Sequence, residues 1–249
     1  NNLALAGKLR IGSDGRTLEV AAVPRLINGY DEQGMEIALR IRDAGHTCRI
    51  VAVSIGQDSQ AMLRHCAALG ADEIVAIDPA GLELDCEAVA RLLAACIKSS
   101  GGADLVLCGR QASDDDQGVV PVLLAEKLGI PAVLFARAVE VSGGTLNVTC
   151  VTADGDEVAQ GALPALVTVS NEVGVPRFPT AKAKMAARKM APVAVGLSGL
   201  GLSAADLAPS VELVRQQLPV VNGNCQFLKG AAAETARQLI DRLHADGVL

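Results

Sequence analysis

The sequence predicts an α/β fold, a doubly wound and mostly parallel sheet with a C-terminal extension. Three observations predict it. Residues 49–55, RIVAVSI, are apolar nearly throughout, as strands buried on both faces are. Short apolar runs alternate with segments of helical period between residues 32 and 128, the rhythm of parallel strands joined by helices. Glycines mark the changeovers at Gly45, Gly56, Gly70 and Gly129.

The elements follow in order. Residues 9–11 and 17–20 flank a Gly12-Ser13-Asp14-Gly15 turn and read as a hairpin. Asn28 or Asp31 can cap a helix over about 32–44, in which Met35, Ala38, Leu39 and Ile41 form the apolar face. After the strand at 49–55 come a helix near 59–69, a strand at 73–77, a helix near 85–99 and a strand at 105–108. Beyond residue 130, stretches 132–141, 145–152 and 165–170 read as strands, a β-rich continuation of the same sheet. Residues 180–190 are basic, with Lys182, Lys184, Arg188 and Lys189. Such a segment is either a solvated face or a docking surface for an acidic partner. Residues 191–204, rich in Gly, Ser and Leu, read as a linker. A short helix broken at Pro209 is expected over 204–218, and a better one over 231–244. With no core of its own, that last helix is expected to pack on a partner subunit. The chain thus divides into an α/β domain over 1–190 and a linker with a helical arm over 191–249.

The stretch from 103 to 131, ADLVLCGRQASDDDQGVVPVLLAEKLGIP, carries the chemistry. It runs strand, acidic loop, helix. Ligands of open α/β sheets lie beyond the carboxyl ends of the strands, and free amides at a helix N-terminus can hold phosphate. Gln111, Ser113 and Asp114 could meet ribose hydroxyls or a base edge. Asp114, Asp115 and Asp116 would repel a phosphate, so they are expected to cap the helix or face ribose. A solvated acidic N-cap explains the same residues. Pro121 belongs in the first turn of the helix, which can therefore begin as late as Val119.

Composition excludes several classes. The net charge is −6, aromatics make up 2% of the chain, and there is no Trp, which argues against nucleic acid. No apolar run approaches membrane-spanning length. Seven cysteines without a C-x-x-C pair read as small core residues in a reducing compartment. Three scattered histidines give no zinc spacing. Neither G-x-G-x-x-G nor a Walker A loop nor G-x-S-x-G occurs.

Assembled in order, several motifs resemble the beta (small) subunit of electron transfer flavoproteins. Asn28-Gly29-Tyr30-Asp31-Glu32 resembles the family's Asn-Pro-Phe/Tyr-x-Glu turn. Val51 to Gly56 resembles its second-strand end, and Cys66 to Asp72 its A-x-x-x-G-A-D run. Gly109-Arg110-Gln111-Ala112-Ser113-Asp114-Asp115-Asp116 is similar to its G-[KR]-Q-A-I-D-D-D loop. Leu163 to Thr168 and Asn171 to Arg177 resemble the later signature. The resemblance implies a Rossmann-like, adenine-nucleotide-binding fold and a heterodimer with an alpha subunit. In that arrangement the large subunit holds most of a redox FAD and the small subunit closes its site. The small subunit buries AMP or a second FAD of its own. By motif, Asn28, Gly29, Tyr30, Asp31 and Ile55 would line that nucleotide, with Gly109 to Asp114, Asp116, Gln117, Gly118, Val119 and Val120. Arg177, Ala181, Lys182, Lys184, Arg188 and Lys189 would dock a flavin-dependent dehydrogenase. No catalytic acid, base or nucleophile is implied. A standalone adenine-nucleotide enzyme or sensor, and a scaffold without nucleotide, are the alternatives.

The chain departs from the pattern in three places. Val119 and Val120 stand where the family has side-chain donors, so a phosphate must rely on amides and Gln117. Ala181 replaces the usual apolar anchor. The family's opening strand has no counterpart here. Either those residues lie outside this sequence or that wall of the pocket is built differently.

Overall fold

The structure, a computed structural model, describes residues 10–19, 26–56, 59–218, 223 and 225–249. Leu9 and Val20, the outer ends of the expected hairpin, lie outside them.

Most of the chain, the described residues between 26 and 213, groups into one compact unit. Its elements are α1 (Gly29–Asp43), β3 (Val51–Ile55), α2 (Gln60–Leu69), β4 (Glu73–Ile77), α3 (Cys86–Ser99), β5 (Leu105–Gly109) and α4 (Val120–Leu128). Then come β6 (Ala132–Ser142), β7 (Thr145–Thr152), β8 (Gly155–Ala162), β9 (Ala165–Val169), α5 (Ala181–Ala187) and β10 (Val193–Val195). The expected single sheet is two among the described residues. One is parallel, in the order β10-β4-β3; the other runs β5-β9-β6-β7-β8. In the second, β5, β9 and β6 are parallel, whereas β6-β7-β8 is an antiparallel meander.

Helices join the two sheets. Ile37 and Ile41 of α1 pack on Val167, Val169 and Leu146 of the five-stranded sheet. Met35 and Leu39 of the same helix pack with Ile50, Leu63 and Ile74 beside the three-stranded one. On the opposite face α3 does the same. Leu92 and Cys96 meet Val75 and Ile77, while Ala90 and Ala94 meet Leu166. β9 shows the consequence: all five of its residues are buried, because alternate side chains meet helices on both faces. β7 instead buries every second residue, and β8 is exposed along most of its length. Residues 155–162, GDEVAQGA, carry no apolar alternation, so their strand rests on pairing with β7 rather than on their own pattern.

Two other segments differ from expectation. Residues 191–204 are not a free linker: Val193–Val195 adds a parallel strand to β4. Residues 204–218 form only a 3-10 turn, Ala204–Leu207, which buries Leu207. Beyond it the backbone amides of Ser210 and Val211 donate to Asp85, and no helix follows Pro209.

The second unit comprises residues 10–19 and 214–249. A two-strand hairpin, β1 (Arg10–Ile11) and β2 (Leu18–Glu19), is joined to residue 216, whose amide donates to Gly15 O. Helix α6 (Ala232–Ala245) has an apolar side but buries no residue. No helix among the described residues is long and apolar enough to cross a membrane.

Candidate functional site

β5 ends at Gly109, against the start of α1. A side chain could not replace its hydrogen: a Cβ there would lie 2.7 Å from Tyr30 Cβ and 2.8 Å from the Asp31 amide nitrogen. That close approach lets the Gly109 N–H donate to Asp31 Oδ1 at 2.6 Å. Asp31 Oδ2 accepts from Asn28 Nδ2 at 2.7 Å, and the same amide group donates to Gln111 O at 2.9 Å. The loop after β5 is thereby tied to the first turn of α1. Helix α1 begins at Gly29, earlier than expected, and Asn28 holds the N-cap position without making a side-chain cap bond. Its side chain reaches across to the loop instead.

This arrangement leaves one polar atom alone. With both Nδ2 protons on acceptors, Asn28 Oδ1 is buried and accepts no hydrogen bond. The acceptor Gln33 Oε1 and the donor Arg91 Nε also lack a partner, but of the three only Asn28 touches the loop. An orphaned buried acceptor costs about 1–3 kcal/mol. A ribose hydroxyl or an adenine amino group would satisfy it, so the residues present fit an adenine nucleotide.

The acidic run does not cap α4. Val119 holds the N-cap position and no side chain bonds the first amides, so the acidic-cap reading does not hold. The loop folds on itself: Gln111 Nε2 donates to Asp116 Oδ1 at 2.8 Å, and the Asp116 N–H to Ala112 O at 2.9 Å. Gln117, expected to reach a phosphate, accepts from Cys86 Sγ and donates to Asp115. Gly118 has φ +66, and a Cβ on it would lie 3.2 Å from Arg110 O, so glycine is required there twice over. Ala112 and Asp114 are exposed, Ser113 is half-buried, and Val119 and Val120 stand at the entrance of α4. Ile55 ends β3 within the apolar cluster around Val75 and Leu92, outside the hydrogen-bonded network.

One residue of this region was not singled out from the sequence. Phe135 interrupts β6 with φ +60, where the β6–β9 register shifts. It is 42% exposed, and its N–H donates to Thr168 Oγ1. A bulky residue in the left-handed region is strained and marks a place where the surroundings impose the geometry. Arg110 lies between two rings, its Cζ 5.1 Å from the Phe135 centroid and 5.6 Å from that of Tyr30. Glu172 stands nearby. The Ser170 hydroxyl holds its carboxyl below the ordinary range, and the Arg110 charge adds to that. Within VLFARAV, Phe135 looks like any strand residue, so nothing local betrays it.

The residues expected to dock a partner separate into two groups. Arg177 turns inward: its N–H, Nε and Nη2 reach Glu36 at 3.1, 2.8 and 3.2 Å, and Nη2 reaches Asp43 at 2.8 Å. Burial pushes the Glu36 carboxyl up, but hydrogen bonds from Arg177 and Arg40 outweigh it and hold the group below its usual range. Ala181, Lys182, Lys184, Arg188 and Lys189 face solvent on or just past α5, whose Thr180 hydroxyl caps the first turn. Exposed Val175, Phe178 and Met185 adjoin them. Among the described residues no cluster of His, Cys, Asp or Glu could hold a metal ion. Burial pushes the Cys66 thiol up to about 11, which keeps it protonated.

A family model described as the electron transfer flavoprotein domain matches residues 17–198. The chain belongs to the electron transfer flavoprotein family. A protein from Thermoanaerobacterium thermosaccharolyticum named electron transfer flavoprotein subunit beta is 31% identical over 252 residues, covering 97% of this chain and 95% of its own. One of the same name from Syntrophomonas wolfei is 35% identical over 209 residues, 83% of this chain and 78% of its own. The caffeyl-CoA reductase-Etf complex subunit CarD of Acetobacterium woodii is 30% identical over 242 residues, 95% of this chain and 92% of its own. The family match spans the whole Asn28–Gly109–Gln111 network.

Proposed function

We propose that this chain is the beta subunit of an electron transfer flavoprotein. It works in a heterodimer with an alpha subunit and passes electrons from a flavin-dependent dehydrogenase to a further acceptor. The FAD is held mainly by the alpha subunit and closed off by this chain. An AMP or a second FAD binds beside Asn28. When bound, the flavin supplies the redox chemistry; this chain binds, orients and excludes water. The compartment is the cytoplasm of a bacterium or the mitochondrial matrix of a eukaryote.

The observation that carries the nucleotide is the orphaned Asn28 Oδ1 beside the loop that follows β5. Asn28 would accept from the nucleotide. The amides around Gly118, which no side chain can occupy, would face its phosphate, and Tyr30 and Phe135 would hold the Arg110 guanidinium flat beside it. Exposed Lys182, Lys184, Arg188 and Lys189, with Met185 and Phe178, are suited to an acidic partner surface with an apolar centre.

Nucleotide content of the purified heterodimer tests this reading. One FAD and one AMP per heterodimer would make it a simple carrier, and two FAD a carrier with a second flavin in this chain. A second reading, a lid without nucleotide of its own, draws on Val119 being exposed where a donor would be useful and on Gln117 being tied to Cys86 and Asp115. FAD with no second nucleotide would select it.

A further inference from the structure

Helices α2 and α5 border an open surface cavity of about 300 Å³ lined by Ala61, Arg64, His65, Ala68, Lys184 and Arg188. Ala61, Arg64, His65 and Ala68 are spaced three, four and seven residues apart and so share one face of α2. Lys184 and Arg188 stand four apart on α5 and its last turn, facing them. Cation therefore meets cation across a helix–helix contact, an arrangement that costs energy unless a negative charge lies between. No carboxylate among the described residues fills that place. Glu32 is engaged by His65, whose Nε2 lies 2.7 Å from its Oε1. Arg64 gives Nε to Met190 O, which leaves its terminal nitrogens without a hydrogen-bond partner. Lys184 and Arg188 have no acidic partner among the described residues. The two alanines matter as much as the charges, because larger side chains would fill the space.

We propose that this cavity binds a small phosphate-bearing anion, a site separate from the nucleotide loop. The cavity lies at the lower end of the range for ligand sites, about 300–1,000 Å³, which suits a pyrophosphate-sized group. An arginine and a lysine from facing helices, with a second arginine at the rim, give forked and point-charge donors to its oxygens. The apolar floor at Ala61 and Ala68 accommodates a short organic tail. The site does not depend on AMP, on a second FAD or on the electron-carrier reading.

Inorganic pyrophosphate titrated calorimetrically into the purified complex, at near-physiological salt, tests the proposal. Saturable binding of one anion per chain is expected. Arg64→Gln and Arg188→Gln should each weaken it at least about tenfold, the worth of a lost charge-assisted hydrogen bond. Lys182→Gln, on the same helix but outside the cavity, should leave it unchanged. If Arg64→Gln lowers the melting temperature, exposed Arg188 carries the test alone. Absence of saturable binding overturns the proposal. So does equal weakening by Lys182→Gln, which would mean diffuse attraction, or loss on Asn28→Ala instead, which would place the anion at the nucleotide loop.

Discussion

Asp31 and Glu36 stand five residues apart on α1, and each ties the helix to a distant loop. They do it differently. Glu36 is buried, and both its oxygens are taken by Arg40 and Arg177, which in turn reaches Asp43. No buried side-chain atom of that network lacks a partner. Asp31 is exposed at the mouth of the β5 loop, and its partner Asn28 keeps a buried oxygen with no donor. The first arrangement is complete in the chain alone. The second is complete only with something added. An unsatisfied acceptor beside the β5 loop, rather than charge or burial, is what sets the Asp31 network apart from the Glu36 one.

The largest expected effect comes from breaking the complete network. Glu36→Gln leaves Arg177 against a neutral amide; breaking a fully buried ion pair costs about 3–5 kcal/mol, an upper bound here because Arg177 is 38% exposed and solvent screens it. Chemical denaturation should show that loss, while nucleotide content of the surviving folded complex stays unchanged. The sign with pH follows from the lowered Glu36 carboxyl. Its contribution is present above the ordinary glutamate value, about 4.3, and is lost as pH falls through the lower folded value. The wild-type chain should therefore lose stability on acidification through that window, and Glu36→Gln should show a shallower slope. Equal slopes would mean the pair is too solvated to matter.

The same contrast explains what could be read in advance. The β5 loop was legible because its chemistry is local: a strand, a glycine and an acidic run within a dozen residues. The separate roles of Arg177 and Lys184 were not, since Arg177 finds Glu36 across 141 positions and composition alone groups it with its basic neighbours. Phe135 was missed because strain is a property of backbone angle, invisible in VLFARAV. β8 escaped because an exposed antiparallel strand needs no apolar pattern once β7 offers its edge. β10 was hidden for a similar reason, three residues in a glycine-rich stretch that gain their structure from β4. The split into two sheets lies beyond any local signal, because it depends on which strand edges meet.

Gly109→Ala should have the next largest effect. The added methyl would meet backbone as well as the Tyr30 side chain, so α1 and β5 must move apart, at a cost of about 1–3 kcal/mol. Unlike Glu36→Gln, it should also lengthen the Gly109–Asp31 hydrogen bond and release the loop, so nucleotide content should fall along with stability. A stability loss with full nucleotide content would show that the loop is held by Asn28 alone.

Asn28→Ala sharpens the comparison most, because its effect on the bare chain is the smallest. It removes two hydrogen bonds but also the orphaned oxygen, and these partly cancel. The expected loss of stability without nucleotide is about 1 kcal/mol or less. With nucleotide present the cancellation disappears, since the oxygen then has a donor and its removal is a net loss. The variant complex should therefore bind its adenylate about tenfold more weakly, and the gap in melting temperature between variant and wild type should widen as nucleotide is added. A gap that stays constant across nucleotide concentrations would mean that Asn28 Oδ1 never meets the ligand. The incomplete network would then be a defect of the scaffold rather than the mark of a site.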